Sequence, residues 1–423
     1  MRFPSTRGGC EPANASEALR AGLAPDGGLF VPEVLPALSP EALDPDLPYP
    51  ERAREVLAPF FRGDALEPDL PELCRGAFDY PVPLAPLSDR VRILELFHGP
   101  TAAFKDFGAR FLARALERLQ DGEKAPLTIL VATSGDTGGA VAAAFHGREG
   151  ISVRVLFPED GVSERQKKQL TCWGGNVSSY AVRGTFDDCQ RIVKEAFRSP
   201  EISVRFRLSS ANSINLGRLL PQTVYYVHAS ALFLAETGEK PTFVIPSGNV
   251  GNAVGAYWAK AMGAPIARIA LAVNANRTLP DFLTEGLYRP RPSVRTLANA
   301  MDVGDPSNLE RVRFLFPGRE TLEREVSARS VTDGEIRDTI ARVFKASGRV
   351  LCPHTACAEY VRERRLPQAP AIVVATAHPA KFETIVEPLI GQPVPVPPAL
   401  EALLDAASRY ETIEPALEEL FRD

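Results

Sequence analysis

One lysine stands in a setting that suits covalent chemistry. In HGPTAAFKDFGARF, Lys105 follows Phe104 and precedes Phe107 at the start of an amphipathic segment. An amine in apolar surroundings at the positive end of a helix has its ammonium form disfavoured by desolvation and by the helix dipole. A neutral amine is the nucleophile that Schiff-base formation needs. The competing reading is a helix lysine that snorkels to the surface or pairs with Asp106.

Three further segments present loops at the ends of apolar runs. SGDTGG (134–139) follows LTILVAT, PSGNVGN (246–252) follows the run 241–246, and TAHPAKF (376–382) follows AIVVAT. Small residues at a strand-to-helix turn let backbone N–H groups approach a carboxylate or phosphate. In the second loop Gly248 and Gly251 present such donors. It lacks the Gly-Lys-Ser/Thr of a nucleotide P-loop and the GxGxxG of dinucleotide binders, so a phosphate on another kind of cofactor fits better. Thr376 offers one short neutral hydroxyl, or simply continues its strand.

Two other clusters carry polar groups. SSANSINLGRLLPQ (209–222) brings Asn212, Ser213, Asn215 and Arg218 together before a long helix. Such a set suits a polar anionic substrate, or an ordinary helix cap with Arg218 on the surface. CPHTAC (352–357) supplies only Cys352, His354 and Cys357. Closed zinc sites usually take four ligands, so packing is favoured there and no metal is expected. His98 and His378 lack the Ser or Cys partner of a hydrolase triad.

The elements that must position these groups alternate. Apolar runs at 91–97, 127–133, 152–157, 177–182, 241–246, 266–273 and 371–376 read as strands. Amphipathic or capped stretches at 104–119, 163–173, 185–198, 216–235, 253–262 and 333–346 read as helices, with Ser163 a candidate N-cap. Alternation of this kind implies parallel sheets covered on both faces. The expected fold is therefore α/β, with two doubly wound open-sheet units and the active-site cleft between them. The expected divisions are a Pro-rich N-terminal cap region (1–90), one unit over 91–235, a second over 236–395 and a helical tail over 396–423. In such sheets ligands gather beyond the carboxyl ends of the strands, so all three loops should face one crevice.

The bulk numbers agree with this organisation. The chain has 423 residues, 45% hydrophobic and 24% charged, with a formal net charge of −5. That is ordinary for a globular protein, and no basic stripe marks a nucleic-acid footprint. No apolar run is long enough for a bilayer, and six scattered cysteines do not form a disulfide framework. A cytoplasmic address is expected.

Read in order, EALRAGLAPDGGLFVPE, LELFHGPTAAFKDFG, ATSGDTGGAV, SSANSINLGRLL, VIPSGNVGN, LANAMDVGDPSN and TAHPAKF resemble the threonine synthase family, within the fold type II enzymes that use pyridoxal 5′-phosphate. The resemblance spans most of the chain. It implies that Lys105 holds the cofactor as a Schiff base, and that Gly248, Asn249, Val250, Gly251 and Asn252 cradle its phosphate. It implies that Thr376 faces the pyridine nitrogen and that Ser134, Asp136, Thr137 and Gly138 bind the substrate carboxylate, Asp136 lying near the ring's edge. Asn212, Ser213, Asn215 and Arg218 are then expected to meet the substrate phosphate. The implied reaction takes O-phospho-L-homoserine and water to L-threonine and phosphate, in a monomer or homodimer. The alternative enzyme is a related lyase that eliminates phosphate from another phosphorylated amino acid or amine. A non-catalytic ligand sensor on the same fold would not need Lys105, and a nucleotide-binding protein would need the loops that are missing.

Overall fold

The seven runs read as strands all form, and four short strands with weaker signals join them. This is seen in a computed structural model that describes the chain except Asp121, Lys124, Ser134, Gly161, Asp423 and the side chain of Ser203. In chain order the strands are β1 (Leu84–Ser88), β2 (Val91–Glu95), β3 (Leu127–Ala132), β4 (Ile151–Pro158), β5 (Val177–Val182), β6 (Arg207–Ser210), β7 (Thr242–Pro246), β8 (Arg268–Val273), β9 (Ser327–Ser330), β10 (Ala371–Ala375) and β11 (Glu411–Ile413). They make a six-stranded sheet, β1-β2-β10-β7-β8-β9, and a five-stranded sheet, β11-β5-β4-β3-β6. Apart from the antiparallel pair β1–β2, neighbours within both sheets run parallel. Every residue of β3, β7 and β10 is buried, as expected of parallel strands with cover on both faces.

Two expectations about grouping are corrected. The apolar run 91–97 is expected within the unit over 91–235. In the structure β2 pairs with β10, from Ala371↔Val91 to Ala375↔Glu95, and so belongs to the larger sheet. An apolar run states that it is buried but not which strand it lies beside. The tail over 396–423 is likewise not only helical. β11 pairs in parallel with β5 and extends the smaller sheet.

The N-terminal region does not keep a separate core. Phe3, Phe60, Phe61 and Phe78 are buried in the same apolar cluster as Phe107 and Phe111, which lie on the helix Lys105–Arg118. The Phe78 and Phe111 rings stack with centroids 6.2 Å apart, and Phe61 meets Phe111 edge-on at 5.9 Å. Burial of one such ring stabilises by about 1.5–3 kcal/mol. The helix that begins at Lys105 is therefore clamped along its apolar face. Another neighbour is the long helix Leu216–Thr237, buried over most of its length. The two approach at Gly108, where a Cβ would collide with the Arg218 backbone carbonyl, so only glycine fits. Among the described residues no helix is long and apolar enough to cross a membrane.

Candidate active site

The end of β10 holds the turn that presents Lys105. The Phe104 N–H donates to the Thr376 carbonyl at 2.8 Å, and the His378 N–H donates to the Ala102 carbonyl at 3.0 Å. Ala102 is held at φ 54°, a left-handed conformation that a non-glycine residue adopts at a cost of about 1–3 kcal/mol. The turn thus stores some strain to aim the lysine. Asp106 is not its partner: that carboxylate accepts from the Thr101 N–H at 2.9 Å and the Thr101 hydroxyl at 2.7 Å. The Lys105 amine makes no hydrogen bond among the described residues and lies 5.3 Å from the Phe104 ring centroid. Desolvation lowers its pKa to about 8; Asp136 opposes that shift, while Lys381 and Arg218 add to it.

Lys105 faces a cavity of about 130 Å³ lying between the two sheets. Asp136 and Thr137 line it from beyond β3, Gly248 to Asn252 from beyond β7, and Thr376 from the end of β10. Asn212, Ser213 and Arg218 complete one wall. The three loops thus do face one crevice. Gly138 and Asn215 do not line it. Asn215 caps the helix Leu216–Thr237, accepting from the Gly217 N–H at 2.9 Å while its amide donates to the Leu19 and Ser210 carbonyls. Gly138 packs where a Cβ would collide with Thr133 Cγ2. Ser134 lies outside the described residues.

The turn after β7 leaves its backbone donors unspent. Val250 adopts φ 62° at the N-cap of the helix Gly251–Ala261. The backbone N–H groups of Gly248, Asn249, Val250, Gly251 and Asn252 donate to none of the described residues. A Cβ at Gly248 would lie 2.6 Å from Met301 Cα, so this position admits no side chain without movement. The Asn252 amide nitrogen and the Asn249 amide oxygen are buried without partners. Open donors, orphaned amides and a nearby unbonded amine fit a group that carries both a phosphate and an aldehyde, as pyridoxal 5′-phosphate does.

The turn after β3 carries a charge instead. Thr133 Oγ1 accepts the N–H groups of Gly135 at 3.0 Å and Gly138 at 2.8 Å. Asp136 follows, 5% exposed, and pairs with Lys381 Nζ at 2.8 Å. Burial alone would raise the Asp136 pKa, but Lys381, then Lys105 and His354, hold it far below the usual carboxylate range. Arg218 is also buried; its Nη1 donates to the Ala211 carbonyl, its Nε has no partner, and burial lowers its pKa to about 10.

Two residues at the site went unassigned from sequence. Lys381 stands inside TAHPAKF among apolar neighbours, the same signal that singles out Lys105. His354 lines the cavity, accepts the Ala300 N–H at Nε2 (3.2 Å), and is kept neutral by burial, with a pKa of about 4. Its neighbour Cys352 caps the helix Pro353–Arg365. His98 and His378 serve locally, His98 beside Glu95 at 2.8 Å and His378 accepting the Ala380 N–H.

Comparison with known proteins agrees with this geometry. Residues 82–406 match the family described as pyridoxal-phosphate dependent enzyme, which is the class that the two-sheet fold and the lysine cleft define. Residues 2–78 match the threonine synthase N terminus. Threonine synthase of Haemophilus influenzae is 41% identical over 392 residues, covering 92% of each chain. The crystal structure of threonine synthase from Escherichia coli superposes with a TM-score of 0.92 at 38% identity, covering 99% of this chain and 98% of that one. A structure of threonine synthase from Brucella melitensis with pyridoxal phosphate bound gives 0.91 at 35% identity, covering 99% and 97%. The chain belongs to the threonine synthase family of pyridoxal-phosphate-dependent enzymes.

Proposed function

We propose that the chain converts O-phospho-L-homoserine and water to L-threonine and phosphate, with pyridoxal 5′-phosphate carried on Lys105. The observation that carries this reading is an unbonded amine and five consecutive open N–H donors, both lining one cavity. When bound, the cofactor supplies an electron sink for charge left on substrate carbon. The chain supplies the rest. The N–H groups of Gly248, Asn249, Val250, Gly251 and Asn252 hold the cofactor phosphate. Thr376, being neutral, does not enforce protonation of a ring nitrogen as a carboxylate would. The N–H groups of Asp136 and Thr137, at the start of the helix Asp136–Phe145, donate to none of the described residues and suit the substrate carboxylate. Asn212, Ser213 and Arg218 suit the substrate phosphate. Lys105, half neutral near pH 8, takes and returns the protons of the reacting carbons. Gly138 and Asn215 act by shaping these turns. Six unpaired cysteines are in keeping with a reducing cytoplasm, and the enzyme acts as a monomer or homodimer.

The test is to load the protein with pyridoxal phosphate, reduce it with borohydride, and map the modified peptide. O-phosphohomoserine is then supplied to unreduced protein while phosphate and threonine are followed. An adduct at Lys105 with both products formed together is expected. Phosphate without threonine would replace this reading with the phospho-lyase, and an adduct elsewhere would end it.

A further inference from the structure

Lys381 is fully buried, and its ammonium makes two contacts. It meets Asp136 Oδ1 at 2.8 Å and donates to the Thr101 carbonyl at 2.9 Å. It lies on the short helix Pro379–Phe382 just beyond β10, whereas Asp136 lies just beyond β3. The pair therefore joins the two sheets behind the cleft. Gln166 Nε2 donates to the same Asp136 oxygen at 3.1 Å, and Asn299 donates to Gln166 Oε1 at 3.0 Å, fixing the carboxylate from a second side. A buried ion pair is an expensive way to fill space, since apolar residues of similar volume are often as stable. Its presence beside the cavity calls for a reason.

The two lysines supply one. Lys105 and Lys381 share one carboxylate neighbour, Asp136. Lys381 is bonded to it, and the Lys105 amine has no hydrogen bond among the described residues. The other charged or titratable groups near Lys105 are Arg218 on the helix Leu216–Thr237, His354 on the helix Pro353–Arg365 and Asp106 on its own helix. His354 is neutral and Asp106 is taken by Thr101. A bare Asp136 would thus be the strongest stabiliser of a Lys105 ammonium, and an ammonium cannot attack an aldehyde.

We propose that Lys381 is a positioning residue: it engages the Asp136 carboxylate from behind the cleft and keeps it from claiming the amine of Lys105. This rests on the reading of Lys105 as the cofactor lysine. The pair neutralises itself, so Lys105 meets a fixed dipole there in place of a net charge.

The experiment follows capture of pyridoxal phosphate by the full-length, cofactor-free protein between pH 6 and 9.5, read as the growth of visible absorbance. The midpoint reports the amine that captures it. Lys381→Met is expected to raise the midpoint by at least about one unit, slowing capture at pH 7 about tenfold. Lys381→Arg, which keeps the charge, is expected to hold it. Asp136→Asn should lower it, and the double variant Asp136→Asn/Lys381→Met should return to the unmodified value. A midpoint unmoved by Lys381→Met overturns the proposal. Where that single variant does not fold, the double variant serves, and a midpoint left where Asp136→Asn alone puts it overturns the proposal equally. Borohydride trapping on the unmodified protein separates the two readings. An adduct away from Lys105 defeats the cofactor assignment, whereas an adduct at Lys105 with an unmoved midpoint defeats only the role of Lys381.

Discussion

The turns after β3 and β7 have similar sequences, SGDTGG and SGNVGN, and similar places at the carboxyl ends of parallel strands. Their chemistry differs. After β3, Thr133 reaches forward and consumes two N–H donors, and the turn delivers a carboxylate whose charge is met by Lys381. After β7, no side chain caps the helix, five N–H groups stay open, and Gly248 lies against the Met301 backbone. The first turn spends two of its donors on Thr133, keeps those of Asp136 and Thr137 open and carries a charge; the second keeps all five open and is neutral. A glycine-rich turn becomes an anion site only where its donors are left unspent, and that depends on one residue at the strand end. Thr133 stands there in the first turn, and Ser247, whose hydroxyl donates to the Ile245 carbonyl at 3.3 Å, stands near it in the second.

Several substitutions would break or sharpen this contrast. Lys105→Ala removes the group both turns serve, and is expected to lower kcat by about a thousandfold or more and to abolish borohydride trapping. Asp136→Asn leaves Lys381 buried without its counter-ion and should cost about 3–5 kcal/mol, read as a lowered midpoint in urea unfolding at pH 7. The folded-state pKa of Asp136 lies below its unfolded value, so its stabilisation is present above the ordinary carboxylate range and lost as pH falls through the depressed value. The gap between variant and unmodified protein should therefore persist at pH 5 and narrow only on stronger acidification. A gap that closes between pH 7 and 5 would show that the pair is not what Asp136 contributes.

The two glycines test the turns against each other. Gly248→Ala forces a clash with backbone, worth about 1–3 kcal/mol, and should weaken cofactor binding by about ten- to a hundredfold in equilibrium titration. Gly138→Ala meets side chains of Thr133 and Leu170 and should spend a similar energy on stability, with cofactor affinity changed less. Equal losses of affinity would erase the distinction between the turns. The smallest effect is expected from Thr133→Ala, about 1 kcal/mol of unfolding free energy for the lost hydrogen bonds at the turn, with Thr133→Ser recovering most of it.

Much of the site was legible because it is local. The apolar setting of Lys105, the small residues after β3 and β7, and the periodicity of the strands and helices all lie within a few residues of one another, and local geometry follows from them. Asn215 was legible as a cap and less so as a ligand, since the same Asn suits both. Lys381 and His354 were harder: each sits in a motif with more conspicuous neighbours, and their partners, Asp136 and Ala300, are far along the chain.

Sequence by itself determined the seven longer strands, the small-residue turns at their ends and the apolar setting of Lys105, because steric fit, periodicity and apolar context act over short stretches. Tertiary structure alone decided that β2 lies beside β10, that β11 completes the smaller sheet, and that one buried carboxylate chooses Lys381 over Lys105. Those outcomes are competitions between distant partners for the same surface or charge, and only the folded chain sets the distances on which such competitions turn.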